Sequence, residues 1–336
     1  MAPRIHLLDL VILLLAVAAG GGVYAILEYG GGALVGATYA LFMCLPILAL
    51  ERGLLFPRLY HWVRAQTTPV FFILALLITF ALMTCGSTIA GILVWATGLY
   101  DFTWDRAITP SFRASVYALV LSLVIVFVLR VRELLGRDVF ASLLSGRYRR
   151  PTQESRVFLF VDLADSTTFA ERHGDLRTQE YLGAIFASLA EPVRRHNGAI
   201  VDYVGDCAII TWPLDRALKH AECVECVFDI FEQIEADSAY WIENFGETPR
   251  LRAALHGGAI ITAEIGVDRH KITFFGDTVN TTSRIEGLCK TLGRPFLMSS
   301  DLFDRISLPA TVKAEYLGEH SVKGRGQALG VYALSR

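Results

Sequence analysis

Two aspartates stand where a polypeptide chain can bring carboxylates together. Asp162 closes an apolar run, RVFLFVD, and Asp206 follows a glycine in GAIVDYVGDCAIITW, text that reads as two strands joined at Gly205-Asp206. A strand end and a hairpin turn can converge on one sheet edge, where paired carboxylates offer the hard oxygen ligands that suit Mg²⁺ or Mn²⁺. Either aspartate alone serves equally well as a cap or turn residue. Between Asp162 and Thr168 small and hydroxylated residues lead into helical text, so the backbone N–H groups there are candidates to hold phosphate oxygens. Asn280 and Arg284 lie one helical turn apart on one face. Arg252, four residues before His256, and Lys323 in VKGRG are fixed positive charges that could face an anion or simply solvent. Cys223 and Cys226 form a CxxC three residues after His220, but no second cluster supplies the remaining ligands of a closed zinc site, and helix-packing thiols are expected.

These residues need a scaffold, and residues 154–336 supply the text for one. RVFLFVD reads as a buried strand, and helical periodicity follows from Ser166 to His196 with a break near Gly174. After the hairpin around Asp206 come helical text over 215–245, a strand pair in LRAALHGGAIITAEIG (251–266) and a helix from Thr278 to Leu292. Short strands are expected near 296–298, 312–316 and 331–334. The pattern predicts an α/β domain, helices packed on a mostly antiparallel sheet.

The rest of the chain was built for another solvent. Residues 1–133 hold 14 charged side chains and residues 134–336 hold 50, so only the second part has a globular charge density. Charge-free runs at 10–27, 29–50, 65–100 and 114–129 can each cross a bilayer. The third reads as one long helix from Pro69 to Gly98, tilted or loosened near Cys85-Gly86-Ser87, with a re-entrant pair as the alternative. Arg52, Arg58 and Arg64 after the second run, and Arg130 to Arg150 after the fourth, place both segments on the cytoplasmic side. The expected organisation is an all-α transmembrane domain (1–133), a linker or coupling helix (134–153) with Leu134, Leu135, Phe140, Leu143 and Leu144 as possible seam residues, and the α/β domain. No acid or base within the runs marks a transport path, so an anchor or dimeriser in contact with membrane lipid is favoured over a transporter. A net charge of −2, no Lys before Lys219 and six scattered cysteines suggest no nucleic-acid partner and a reducing compartment.

FLFVDLADSTTFAERHG, GAIVDYVGDCAIITW, RAALHGGAIITAEIG, TFFGDTVNTTSRIEGL and HSVKGRG, in this order, resemble the class III adenylate and guanylate cyclase catalytic domain. The resemblance implies a ferredoxin-like α+β core and a head-to-tail homodimer with two shared active sites. It implies cyclisation of a nucleoside triphosphate, ATP first among them, by a two-metal mechanism. Asp162 and Asp206 match the family's metal ligands, Arg252 and Lys323 its triphosphate-binding positions, and Asn280 and Arg284 the residues that orient the ribose and offset charge on the transferring phosphoryl group. Thr273 and Asp202 match the base-selecting positions. Thr273 fits a bacterial adenylate-cyclase subtype, whereas Asp202 stands where a lysine is usual, and a carboxylate cannot donate to adenine N1. Either Asp202 points elsewhere and Tyr203 or a backbone group reads the base, or the substrate is GTP, CTP or UTP. A non-catalytic nucleotide-binding membrane receptor is a further alternative, against which the complete Asp162, Asp206, Asn280 and Arg284 set argues.

Overall fold

The computed structural model describes residues 7–29, 32–51, 55–64, 66–99, 103–108, 148–266, 271–321 and 328–336, with single positions between 112 and 127. The chain divides into two compact units, Met1–Phe140 and Ala141–Arg336.

In the first unit the apolar runs become α1 (Leu7–Tyr29), α2 (Ala33–Glu51) and α4 (Thr68–Thr97), with short helices α3 (Pro57–Arg64) and α5 (Trp104–Ile108). Ala33–Leu50 and Pro69–Thr97 are long and apolar enough to cross a bilayer, and α1 carries a shorter apolar stretch, Val17–Leu27. Of the fourth run only Val116, Leu119, Val120, Leu123, Val124 and Phe127 are described, all helical and exposed. The possible seam residues of the coupling segment lie outside the described residues.

The expected loosening at Cys85-Gly86-Ser87 is not what forms. The helix α4 runs unbroken through these residues and stops at Gly98, whose left-handed backbone (φ 63°) ends it. Gly86 acts instead as a contact point, since a Cβ there would lie 2.2 Å from the Phe42 carbonyl oxygen of α2. Gly36 of α2 meets α1 in the same way, 2.1 Å from the Gly21 carbonyl oxygen. Small residues let helix backbones approach this closely.

The second unit is built on β1 (Thr152–Leu163), whose side chains alternate between two cores. Val157, Leu159, Val161 and Leu163 enter the larger one and Phe158 and Phe160 the smaller. Two helices follow, α6 (Ser166–His173) and α7 (Asp175–Arg195), broken as expected at Gly174 (φ 80°). Tyr181, Leu182, Ile185, Leu189 and Val193 of α7 form one stripe that fills the larger core. β2 (Ala199–Val204) and β3 (Cys207–Pro213) make the hairpin, and Gly205 (φ 63°) supplies the positive φ that its two-residue loop requires. Then come α8 (Leu214–Leu218), a short 3₁₀ turn, α9 (Glu222–Ala236), α10 (Ser238–Phe245) and β4 (Leu251–Ile265). Cys223 and Cys226 sit in the core on the inward stripe of α9, where burial pushes the Cys223 thiol up to about 12.

Strands β2, β3, β1 and β4 lie side by side, all antiparallel, and the helices cross over in the two split βαβ units of a ferredoxin-like core. Beyond β4 come α11 (Asp277–Leu292), β6 (Phe296–Ser299), α12 (Ser300–Phe303), β7 (Lys313–His320) and β8 (Leu329–Ser335); the sheet continues through β6, β8 and β7. The expected strand pair at 251–266 is instead one 15-residue strand. Gly257 and Gly258 do not turn the chain; a Cβ on Gly258 would lie 2.6 Å from the Thr278 hydroxyl, so the glycines mark close packing. The partner of the strand's second half is β5 (Lys271–Phe275), a strand not expected from the sequence. Its Phe274 ring packs edge-on to Phe158, 5.4 Å between centroids, so that side chain lies on the face opposite the α7 and α9 core.

Forcing backbones apart is costly, and over-packing a fitted contact destabilises by about 1 to 3 kcal/mol. Gly86→Leu is therefore expected to lower the thermal midpoint of the detergent-purified protein. Gly20→Leu, at a glycine of α1 with nothing within 4 Å, should leave it unchanged. Equal midpoints for the two variants in a thermal-unfolding scan would contradict the packing role of Gly86.

Candidate active site

Register brings the first charged residues together. Asp162 is the cross-strand partner of Cys207 on β3 and of Arg252 on β4, on the face that carries Phe158 and Phe160. Arg252 Nη1 lies 3.6 Å from Asp162 Oδ2, both side chains largely covered, and Nη2 is 4.0 Å from Asp165 Oδ1. The turn after β1 is tied to the hairpin turn, because the Ser166 hydroxyl donates to Asp206 Oδ2 and the Leu163 N–H donates to the Asp206 carbonyl (3.3 Å). It is tied to β4 as well. The Ala164 N–H donates to the Arg250 carbonyl (2.8 Å), and Arg250 Nη2 is 2.6 Å from Asp165 Oδ2. Asp165 takes a left-handed backbone (φ 61°), which Asp tolerates better than most residues. Asp162, Asp206 and Arg252 are thus neighbours.

The electrostatics agree with that placement. Burial pushes the Asp162 carboxyl up to about 7, helped by the negative charges of Glu286 and Asp206 and opposed by Arg252. Glu286 is itself raised, first by burial, while its hydrogen bond to Asp162 and the nearby Arg252 pull the other way. This third carboxylate was missed in the sequence. Its signal was position: it stands four residues after the buried Thr282 and next to the buried Ile285, on the side of α11 that meets the sheet. Beside the cluster a cavity of about 240 Å³ is lined by Ala164, Asp165, Arg250, Arg252, Lys290 and Arg294, among others. Four of those six side chains are cationic.

The remaining expected site residues stand elsewhere. Lys323 lies outside the described residues. Asn280 and Arg284 share α11 as their spacing predicts, with Asn280 exposed. Arg284 Nη1 is buried with no hydrogen-bond partner among the described residues, and Asp277 Oδ1 is 3.6 Å away. No hydrogen bond or ion pair among the described residues joins Asn280 or Arg284 to Asp162 or Asp206. At the base-selecting positions, Asp202 Oδ2 receives Lys271 Nζ at 2.6 Å, while Tyr203 turns its ring onto Phe186 of α7 (4.6 Å between centroids). Thr273 Oγ1 is buried and has no hydrogen-bond partner among the described residues.

A family model described as the Adenylate and Guanylate cyclase catalytic domain matches residues 149–335. The chain belongs to that family. The cyclase is 59% identical over 332 residues to Adenylate cyclase 2 of Rhizobium meliloti (strain 1021), covering 99% of this chain and 92% of that protein. It is 30% identical over 205 residues to Adenylate cyclase 1 of the same organism, over 60% of this chain and 30% of that one. Among solved structures, a bacterial light-regulated adenylyl cyclase superposes with a TM-score of 0.56 at 16% identity, covering 67% of this chain and 66% of that one, a likeness of fold. As a member of this family the chain is a nucleotidyl cyclase.

The raised Asp162 makes a pH prediction for the cyclase. Its folded value near 7 exceeds the roughly 4 of an unfolded Asp, so the folded protein holds a proton that the unfolded chain has released. Metal-free stability should then fall as pH rises from about 4 to about 7 and level off above that. Asp162→Asn should flatten this slope. The check is the thermal midpoint in chelator across that range, and a midpoint as steep in the variant as in wild type would assign the dependence to other groups.

Proposed function

We propose that the cyclase converts ATP to 3′,5′-cyclic AMP and pyrophosphate at sites shared between two copies of the chain, anchored in a membrane. The observation that carries this reading is the division of the site residues. Asp162, Asp206 and Arg252 gather at one end of β1, while among the described residues no hydrogen bond or ion pair joins Asn280 or Arg284 of α11 to them, and the buried Arg284 Nη1 has only Asp277, 3.6 Å away, as its ion-pair partner. The full-length relative named an adenylate cyclase supports ATP as the substrate.

In the reaction the ribose 3′ oxygen bonds to the α-phosphorus and loses its proton, and the α–β bridging P–O bond breaks to release pyrophosphate. Two adjacent carboxylates, one of them half-buried and pushed up by that burial and then by its acidic neighbours, form with Glu286 a cluster whose negative charge exceeds what Arg252 offsets. That fits a hard divalent cation, Mg²⁺ or Mn²⁺, held by one or two carboxylates with substrate oxygens completing its shell. Bound there, two such cations would favour ionisation of the 3′ hydroxyl and offset charge on the departing phosphates. Among the described residues no three His, Cys, Asp or Glu side chains form a metal-binding group, so Glu286 is assigned no ligand role.

The chain's own residues do the rest. Arg252, with the cationic cavity beside it, places fixed charge against the β- and γ-phosphates, and Lys323 adds to it. Contributed by the second copy, Asn280 orients the ribose and Arg284 donates to an oxygen of the transferring phosphoryl group. The membrane unit holds the dimer at the inner face of the plasma membrane in contact with lipid, with the catalytic unit in the cytoplasm, where nucleotide is available.

Asp162→Ala and Asp206→Ala should each abolish product formation in folded protein. Asp206→Ala and Asn280→Ala chains, each nearly inactive alone, should regain part of the wild-type rate when co-expressed, because one of the two sites in a mixed dimer is then intact. Heterodimers that form without rescue would place the whole site in one chain. The substrate is read by supplying ATP, GTP, CTP and UTP in turn with Mn²⁺ or Mg²⁺ and identifying the product by mass spectrometry; a preference for another triphosphate would sink the adenylate assignment and leave the cyclase chemistry standing.

Topology has its own test. Reporters inserted after Arg150 and between Asp101 and Pro110 should report opposite sides of the membrane, the first cytoplasmic. Same-side labelling would mean that the spans are miscounted.

A further inference from the structure

The resemblance leads one to expect an ammonium at position 202, and the sequence has a carboxylate there. The structure brings an ammonium to the same place from another strand. Lys271 opens β5 two residues before Thr273, so the two side chains share one face of that strand. Its Nζ lies 2.6 Å from Asp202 Oδ2 on β2, and Asp202 Oδ1 accepts the Tyr203 N–H at 3.0 Å, which fixes the carboxylate on both sides. An ion pair as exposed as this one, 55% at Lys271 and 36% at Asp202, adds little to folding. Stability is therefore a weak reason for the pair to exist.

A ligand gives a better one. An ammonium has three N–H donors and Asp202 takes one, leaving Lys271 donors to spare. On the same face of β5, Thr273 Oγ1 is buried and has no hydrogen-bond partner among the described residues, a condition that costs free energy until something meets it. A spare donor beside an unmet hydroxyl complements an edge that presents an acceptor next to an amino group. Adenine presents such an edge at N1 and N6.

We infer that Lys271, held in position by Asp202, is the residue that donates to adenine N1, with Thr273 accepting from the N6 amino group. This rests on the adenylate reading above and deepens it: the donor has moved from β2 to β5, and the carboxylate at 202 is a positioning residue for it.

The test uses full-length protein purified in detergent and compares kcat/KM for ATP, GTP, CTP and UTP in wild type and four variants. Lys271→Met should cut kcat/KM for ATP by about 5- to 150-fold, the range for losing one well-made polar contact, and change the rates on GTP and UTP far less. The preference for ATP should therefore collapse. Asp202→Asn should move the ratio the same way by a smaller factor. Asp202→Lys alone, which sets two ammonium groups side by side, should lower activity on all four nucleotides. The exchange D202K/K271D, which returns the ammonium to β2, should recover part of the ATP preference; a merely structural ion pair would recover thermal stability without moving that ratio.

If Lys271→Met keeps the ATP ratio within twofold of wild type, or lowers all four nucleotides alike, the inference is overturned while the adenylate reading stands. Should Lys271→Met not fold, D202K/K271D decides alone, and failure of this variant to prefer ATP when folded overturns the inference. A wild type that prefers another triphosphate overturns both, and does so before any variant is compared.

Discussion

An excess of negative charge at the end of β1 governs the catalytic unit. Asp162 is half-buried beside Asp206 and Glu286, and the cation the structure supplies to it at close range is Arg252. Water would relieve such a cluster, but the surrounding strands and α11 exclude much of it, so relief must come from protonation or from a positive charge brought in. A site that needs a bound cation to settle its charge is prepared for one. The same logic explains why the neighbouring cavity is lined by arginines and a lysine with Asp165 among them. The cavity is lined largely by cations and the cluster beside it is anionic, so under the proposed function the two halves of a metal–nucleotide complex would each meet the opposite sign.

That arrangement depends on the two-faced sheet. The period of two along β1 sends Val157, Leu159 and Val161 toward α7 and α9, where a large core provides most of the apolar burial. Phe158, Phe160 and then Asp162 fall on the other face, which the Phe274 ring of β5 joins and against which α11 packs. Stability and chemistry are thus assigned to opposite sides of one strand. A slip of register by one residue would exchange them.

Much of this was legible from residue types. The buried strand in RVFLFVD, the glycine before Asp206 and the breaks at Gly174 and Gly98 each follow from local stereochemistry, and each lies where the sequence places it. What escaped was non-local. Gly257-Gly258 looks like a turn, because in a sequence a glycine pair announces backbone freedom and does not say that a neighbouring helix needs the space. Once β4 was read as two strands, β5 had no visible partner and Lys271 no visible address. Glu286 was hidden for a related reason, since a lone acid on a helix is normally solvated and only the packing of α11 turns it inward. Asp202 shows the limit most clearly: its departure from the family pattern was plain in the sequence, but the lysine that faces it is 69 residues away.

The contact at Gly258 also bears on how such domains can diverge. Its missing Cβ leaves room for the Thr278 hydroxyl, which bonds the Ala259 carbonyl at 2.8 Å and anchors the first turn of the helix that carries Asn280 and Arg284. Any lineage that acquires a side chain at 258 must shrink the residue at 278 in the same stretch of its history, or move that helix along with both residues on it. The two positions, 20 apart in the chain, should therefore drift as a pair. The helix start is inherited through a piece of empty space that neither position reveals alone.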